Sequence, residues 1–256
     1  MEKMSNWSDN EGGCDMVEVA QLTGQGGRPY NEDTVGISQE NNRTCVVVAD
    51  GVGSCGGGEI ASKAAVESII EQFLNNRMNN ANEMSEAIYL ADKEVKKNQD
   101  SNTQMKTTVV CLVIDEFENA RWAHVGDSRL YRFKNGELIF QTADHSVSQM
   151  AVLMNEITTS QIRFHEDRSK ILRALGSDSN EPDIVDDVHL EAEKGFHAFL
   201  LCTDGFWEYV YEAEMSKLLK QSHTPEEWLR GMKLILDSRA PENNDNYSAV
   251  AVFVAS

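Results

Sequence analysis

Three aspartates follow apolar segments, and each is a candidate metal ligand. The run VVVA leads to Asp50-Gly51, AHVG leads to Asp127-Ser128, and FLLCT leads to Asp204-Gly205. A single Asp-Gly pair is most simply a turn signal. Repetition of the same arrangement favours a functional interpretation, because an aspartate fixed at the end of a rigid buried strand has already lost its conformational freedom.

Further acids stand in similar settings, and their oxygens suit a hard divalent cation. Glu32 and Asp33 follow RPYN, and Asp245 lies in NDNYS before the last apolar run. Such cations take oxygen ligands, and two-metal phosphoryl-transfer sites are built from carboxylates and water. The histidines include no HExxH motif and no ligand set at zinc spacing. The sequence therefore predicts Mg²⁺ or Mn²⁺ as the cofactor.

The composition argues against several classes of protein. The 256 residues are 41% hydrophobic, which allows a substantial core in one large domain or two small ones. There are 42 acidic and 23 basic residues, a net charge of −19. Nucleic acid and anionic membranes are therefore not expected partners, since both require a basic face. The 5 cysteines include no CxxC pair, which disfavours a disulfide scaffold and a zinc ribbon.

The chain termini carry no membrane signal. Residues 1–13 contain no apolar signal segment, and the longest apolar run, residues 249–255, is too short to span a bilayer. We therefore expect a cytoplasmic protein. The polar residues 1–15 are predicted to form a flexible tail, followed by a single domain over residues 16–256.

The elements that must position these acids are short strands and amphipathic helices. Asn135-Gly136 between two apolar runs is a strong hairpin signal, so the middle of the chain is predicted to be an antiparallel meander. The predicted strands are 44–49, 107–114, 120–125, 129–133, 138–141, 198–202 and 248–254, and the predicted helices are 59–74, 83–97 and 226–237. Residues 50–58 are predicted to be a glycine-rich loop, and residues 146–180 a mixture of helix and loop. This pattern favours one α/β domain with helices packed on antiparallel sheets.

The motifs on these elements resemble those of the metal-dependent serine/threonine protein phosphatases of type 2C, in the compact bacterial form. They occur in the family's order across nearly the whole chain. The matching segments are Arg28-Pro29-Tyr30-Asn31-Glu32-Asp33, Asp50-Gly51 with GGGEIAS, Thr107-Thr108, Gly126-Asp127-Ser128-Arg129, Asp144-His145-Ser146, Arg173-Ala174-Leu175-Gly176, Thr203-Asp204-Gly205 and Asp245-Asn246-Tyr247-Ser248. The resemblance implies an α+β fold in which two packed antiparallel β-sheets are flanked by pairs of antiparallel helices.

The resemblance also implies a two-metal centre. Asp50 would bridge two metal ions. The Gly51 carbonyl would bind the second metal, with Asp33 and Glu32 holding it directly or through water. A hydroxide between two cations would attack phosphorus in line and displace the serine or threonine oxygen, with no phosphoenzyme intermediate.

The remaining site residues follow from the same resemblance. Asp204 and Asp245 would hold the first metal, and Asp127 would join Asp204 at a weaker third metal. Arg28 would clamp the substrate phosphate, because a guanidinium can bind two phosphate oxygens at once. The implied substrate is a phosphorylated protein, and the enzyme would be a monomer that opposes a serine/threonine kinase.

The sequence departs from the family pattern at a few positions. Val52 stands where some members have a histidine proposed as the general acid, which leaves the proton donor unassigned. Ser54-Cys55-Gly56 replaces a GGH-like element, and Lys106 precedes the paired threonines where a small residue is usual. His145 could suggest an acid–base dyad with Asp144, but the family match favours a structural role. Residues 146–180 lie where the family has a flap over the site.

Two other functions are compatible with these motifs. A catalytically impaired module that binds phosphoproteins could use the same fold, although such modules usually lose a metal-binding aspartate and none is lost here. Another two-metal phosphohydrolase, acting on small phosphoesters or nucleic acid, is the second alternative. The acidic charge opposes a nucleic-acid substrate.

Overall fold

A computed structural model of the chain describes residues 17–52, 56–100, 103–190 and 195–255. The predicted N-terminal tail lies outside the described residues, and so do Ser54 and Cys55 of the altered glycine loop. Within the described residues the strands form two sheets in which all the named strand pairs are antiparallel.

The two sheets pair strands from distant parts of the chain. In order across the first sheet, the strands are β1 (Val17–Gly24), β11 (Tyr247–Ala255), β10 (Phe196–Cys202), β7 (Arg129–Lys134) and β8 (Glu137–Gln141). The second sheet has the order β2 (Asp33–Glu40), β3 (Arg43–Val52), β5 (Val109–Ile114), β6 (Asn119–Val125) and β9 (Asp183–His189), with the short β4 (Lys106–Thr107) paired to the end of β3. The first and last strands of the chain are therefore neighbours.

Helices cover the outer face of each sheet. Against the second sheet lie α1 (Gly58–Leu74) and α2 (Ala81–Lys97), and the first sheet carries α4 (Asp204–Trp207), α5 (Glu212–Leu219) and α6 (Pro225–Arg239). Between β8 and β9 the chain forms α3 (Val147–Leu153) and a 3₁₀ helix (Thr159–Phe164). Capping residues define the helix starts: the Asn80 side chain accepts a hydrogen bond from Glu83 N–H, and Thr224 accepts one from Glu227 N–H.

The core has three layers, which explains the long apolar run in β3. Val46 and Val48 face the other sheet, whereas Cys45 and Val47 face α1 and α2. A strand covered on both faces reads as a continuous hydrophobic segment rather than an alternating one. The predicted fold class, two antiparallel sheets flanked by helices, is confirmed.

Most predicted elements are present with small shifts at their ends. Asn135 and Gly136 form the predicted hairpin turn with φ of 50° and 80°, the left-handed values that a tight hairpin needs. The glycine loop was predicted to begin at Asp50, but β3 continues to Val52 because Gly51 and Val52 pair with β4. No helix among the described residues combines the length and hydropathy of a membrane span.

Candidate active site

The turns at one end of the two sheets enclose an open cavity of about 700 Å³. The β1–β2, β3–α1, β6–β7 and α6–β11 connections and the first residue of α4 all contribute to the lining. The lining residues are Arg28, Pro29, Tyr30, Glu32, Asp50, Gly51, Val52, Gly56, Gly57, Glu59, Thr108, Asp127, Ser169, Ile171, Asp204 and Asp245. The cavity is therefore strongly acidic, with Arg28 at its edge.

The acids singled out from the sequence all lie at this cavity, but Asp33 is buried behind its lining. The predicted residues that line the cavity are Arg28, Glu32, Asp50, Gly51, Asp127, Asp204 and Asp245, whereas Asp33 lies behind them. Asp33 and Asp50 are direct partners across β2 and β3. Like charges directly opposite in a sheet repel each other, so the strand pairing itself brings two carboxylates into an unfavourable contact.

Hydroxyl groups hold Asp33 in place. Thr203 Oγ1 donates to Asp33 Oδ2 at 2.9 Å and accepts from Ser248 N–H at 2.9 Å. Ser248 Oγ is in turn 2.9 Å from Thr23 Oγ1. Residues just before α4 and at the start of β11 thus fix an acid at the start of β2.

The loop that carries Arg28 is tied to the segment before β11. Asn246 Nδ2 donates to the carbonyls of Gln25 and Tyr30, and Asn246 Oδ1 accepts from Glu32 N–H at 2.9 Å. Arg28 pairs with Asp245 in a bidentate manner, with Nε 2.9 Å from Oδ1 and Nη2 2.6 Å from Oδ2. This geometry presents the guanidinium fork at the cavity edge in a form that fits two oxygens of one anion.

Burial and mutual repulsion raise the pKa of the cavity acids. Burial is the main cause for Asp33 and Asp204, whose pKa values rise to about 7, and neighbouring carboxylates add to it. Burial and then the charges of Asp204 and other acids raise the pKa of Asp50 and Asp127 well above the usual range. Each deprotonated acid here therefore destabilises the others unless positive charge is added.

The donor set fits hard divalent cations. Asp33 Oδ1 and Asp204 Oδ1 are buried without a hydrogen-bond partner, so each has an oxygen free to act as a ligand. No three of the cavity's described carboxylates bring oxygens within 4.8 Å of one another. Mg²⁺-like ions use few carboxylates each and keep several waters, so they do not require three carboxylate oxygens this close together.

Several cavity residues were not identified from the sequence. Glu59 is in the first turn of α1, and its charge contributes to the raised pKa of Glu32 after the larger effect of burial. Ser169 and Ile171 come from the segment predicted as a flap, and both line the cavity. An acid in the first helical turn after a glycine loop is a usable sequence signal, because the helix start favours negative charge.

Gly51 is required by close packing at the cavity wall. A Cβ at this position would lie 2.2 Å from the Gly58 carbonyl oxygen and 2.7 Å from the Glu32 carbonyl oxygen. Gly51 N–H also donates to the Glu32 carbonyl at 3.1 Å. The glycine therefore lets three segments of backbone meet beside Asp50.

A second cluster of potential ligands, His124, His145 and Asp183, lies outside the cavity and does not fit a metal. The rings of His124 and His145 stack with centroids 4.6 Å apart. Gly126 N–H donates to His145 Nδ1 at 3.1 Å, and Nε2 lies 3.3 Å from Asp183. Arg173 Nη1 lies 3.4 Å from the same Nε2 and 3.1 Å from Asp183, so a guanidinium already supplies the positive charge there, and the geometry supports the structural role predicted for His145.

His145 makes stability depend on pH. Burial, followed by the neighbouring His124, lowers the pKa of His145 from 6.5 to about 4. The unfolded chain therefore binds the proton more readily, and stability falls as pH drops from 6.5 to about 4. His145→Asn keeps an acceptor near the position of Nδ1 but has no group that titrates in this range. Between pH 6.5 and about 4 its free energy of unfolding should therefore fall by roughly 3 kcal/mol less than that of the wild type.

Urea unfolding of the wild type and His145→Asn at several pH values measures the difference. Asp183 titrates below this window, because its hydrogen bond from His145 and the nearby positive charges lower its pKa despite partial burial. Parallel pH profiles for the two proteins would contradict the prediction.

Comparison with known proteins gives a consistent result. A family model described as protein phosphatase 2C matches residues 26–233. The serine/threonine phosphatase stp of Listeria monocytogenes is 30% identical over 213 residues, which cover 77% of this chain and 80% of that protein. The crystal structure of the serine/threonine phosphatase Stp1 from Staphylococcus aureus superimposes with a TM-score of 0.79 at 25% identity, covering 99% of this chain and 100% of that one.

A second solved structure has the same fold. It is the catalytic domain of the serine/threonine protein phosphatase PstP in complex with 2 manganese ions, with a TM-score of 0.76 and 23% identity over 94% of this chain and 99% of that one. At this identity the similarity establishes a shared fold. The manganese ions belong to that protein, and for this chain the cations are argued from its own acids.

Proposed function

The chain belongs to the protein phosphatase 2C family, and from this membership we propose that it hydrolyses phosphoserine and phosphothreonine in proteins with divalent metal ions. The observation that carries the proposal is the complete set of acids around the cavity, two of which have buried oxygens without partners. A phosphoprotein-binding module would have no need for every one of these mutually repelling carboxylates.

We assign the metal-holding residues as follows. Asp50 would be shared between two ions, the Gly51 carbonyl, Asp33 and Glu32 would serve one of them, and Asp204 and Asp245 would serve the other. Asp127 with Asp204 could hold a third ion. When bound, Mn²⁺ or Mg²⁺ supplies Lewis acidity that lowers the pKa of water and offsets phosphate charge.

The protein's own residues bind and orient the substrate. Arg28 would exchange its two hydrogen bonds to Asp245 for two to the phosphate, which would hold the phosphate at the cavity that Asp50 also lines. Tyr30, which is 74% exposed, borders the same entrance and can contact the peptide around the phosphorylated residue. We further propose that the protein acts in the cytoplasm as a monomer against a serine/threonine kinase.

The test of the proposal is hydrolysis of a phosphothreonine peptide in Mn²⁺, in Mg²⁺ and in excess chelator. We expect turnover in at least one metal and none in chelator. Equal rates in chelator would contradict the metal requirement. Folded protein that binds the phosphopeptide without turnover in either metal would favour the binding module instead.

Arg28→Ala should weaken phosphate binding. Loss of charge-assisted hydrogen bonds, each worth about 1.5–3 kcal/mol, predicts a rise in KM of roughly 10-fold or more. The KM of Arg28→Lys should lie between those of the wild type and Arg28→Ala, because an ammonium keeps the charge but cannot bind two oxygens with the same geometry. Steady-state kinetics with the phosphopeptide measure this, and Arg77→Ala, beyond the far end of α1, is the matched control. Unchanged KM and kcat for Arg28→Ala would remove Arg28 from the site.

A further inference from the structure

The proposed function gives no role to the paired threonines or to the serine after Asp127. Thr108 and Ser128 are nevertheless fully buried beside the cavity acids. Their hydroxyl oxygens are 2.7 Å apart, although the residues are 20 positions apart in the sequence. The contact joins the segment between β4 and β5 to the turn between β6 and β7.

Thr108 makes hydrogen bonds to both the backbone N–H and the backbone carbonyl of Asp50. Asp50 N–H donates to Thr108 Oγ1 at 3.1 Å, and Thr108 N–H donates to the Asp50 carbonyl at 2.9 Å. Thr107 Oγ1 adds a hydrogen bond to the same carbonyl at 2.8 Å. The Asp50 main chain is therefore fixed by the threonine pair rather than by the regular strand ladder alone.

The same threonine contacts the turn that carries Asp127. Gly126 has a φ of 105°, and a Cβ there would lie 2.6 Å from Thr108 Cγ2. Ser128, bonded to Thr108, directly follows Asp127 in the chain. Thr108 thus lies between two acid-bearing turns and is bonded or packed against each of them.

We propose that Thr108 is a positioning residue that sets the distance between Asp50 and Asp127 through its hydroxyl bond to Ser128. The inference rests on the proposed function, because the distance matters only if the two acids serve a common metal centre. Metal affinity depends on how firmly the ligands are oriented before the ion arrives. The proposal therefore predicts an effect on metal binding itself, apart from turnover.

The test compares two substitutions at this position in the full chain. Thr108→Val keeps the shape but removes the oxygen, and Thr108→Ser keeps the oxygen. Residues that orient metal ligands contribute about 10–100-fold to affinity, so we expect Thr108→Val to weaken Mn²⁺ binding by that factor in isothermal titration calorimetry. Thr108→Ser should bind Mn²⁺ with nearly the affinity of the wild type, since the same hydrogen bonds remain.

A matched control separates positioning from general stability. Thr142 Oγ1 also accepts from a backbone N–H, that of Leu130 at 3.0 Å, and is buried outside the cavity lining. Thr142→Val should lower the melting temperature as Thr108→Val does, yet leave the Mn²⁺ affinity unchanged. Equal losses of Mn²⁺ affinity in both variants would overturn the proposal.

Ser128→Ala tests the link directly and does not depend on Thr108→Val folding. It removes the inter-turn bond but leaves Asp50 N–H bonded to Thr108. We expect weaker Mn²⁺ binding, and we expect Thr108→Val with Ser128→Ala to be no weaker than Thr108→Val alone. Fully additive losses, or a Ser128→Ala protein with wild-type affinity, would show that the bond does not set the spacing.

The outcomes also separate this inference from the proposed function. Wild-type protein that binds Mn²⁺ but does not hydrolyse phosphopeptides would contradict the proposed function, while a weakened Thr108→Val protein would still support the positioning role. Active wild type together with a Thr108→Val protein of unchanged Mn²⁺ affinity would overturn the positioning role alone.

Discussion

Asp50→Asn is expected to reduce kcat for a phosphothreonine peptide by more than about 100-fold. Substitutions that only disturb the orientation of metal ligands cost 10–100-fold, and Asp50 is assigned to contact two ions directly. An amide has the same shape but lacks the negative charge that holds the ions. Rates measured at several Mn²⁺ concentrations test whether added metal restores activity, and we expect little recovery.

The same substitution should stabilise the protein in chelator. Asp50 lies opposite Asp33 in the sheet, and burial together with Asp204 and the other acids raises its pKa. Asparagine is neutral without binding a proton, so the substitution removes the cost of burying or protonating the acid when no cation is present, and the melting temperature in chelator should rise. In the presence of Mn²⁺ the wild type should have the higher melting temperature, because it binds the ions more tightly than Asp50→Asn does.

Lower activity together with a higher melting temperature in chelator distinguishes loss of a metal ligand from misfolding. A misfolded protein would lose activity and stability together. Asp237→Asn removes one exposed carboxylate on α6 that does not line the cavity, and it should change neither quantity. Wild-type turnover by Asp50→Asn would exclude a bridging role for Asp50.

The strands that could be predicted from the sequence are mainly those buried on both faces. β3 and β5 read as continuous apolar runs because a sheet covers one side and helices cover the other. The strands that were missed, β1, β2 and β9, all lie at sheet edges. Their residues are largely half-buried or exposed, as in DIVDDVH of β9, so hydrophobic periodicity gives a weak signal there.

The edge strand β8 shows what additional information is needed. It is also partly exposed, but the Asn135-Gly136 turn identifies it as the partner of β7. Local turn chemistry thus compensated for weak hydrophobic patterning. β1 pairs with β11 from the other end of the chain, and no local signal could reveal that partner.

The acids of the candidate site could be predicted from the sequence, but the hydroxyl groups that position them could not. The acids occur in short motifs at the ends of apolar segments, so residue type and spacing identify them. The bond between Thr108 and Ser128 joins two separate turns, and sequence spacing does not reveal it. Hydroxyl groups are also common in turns for local reasons, which hides the few that join distant segments.

Arg129→Met is expected to destabilise the protein by about 3–5 kcal/mol, because it leaves the buried carboxylate of Asp144 without a partner. The two side chains are each 1% exposed, and they form two hydrogen bonds of 2.7 Å. The guanidinium also stacks over Trp207 at 3.5 Å. Urea unfolding of the single variant measures the loss.

Arg129→Met combined with Asp144→Leu should recover most of this stability, since apolar residues can replace a buried ion pair at little net cost. The double variant should still show weaker Mn²⁺ binding. Trp207 Nε1–H donates to the Asp127 carbonyl at 3.0 Å, and the ring is held there by the Arg129 stack. A double variant that regains both stability and wild-type metal affinity would show that the ion pair serves folding alone, whereas recovery of stability without metal affinity would show that it also orients Asp127.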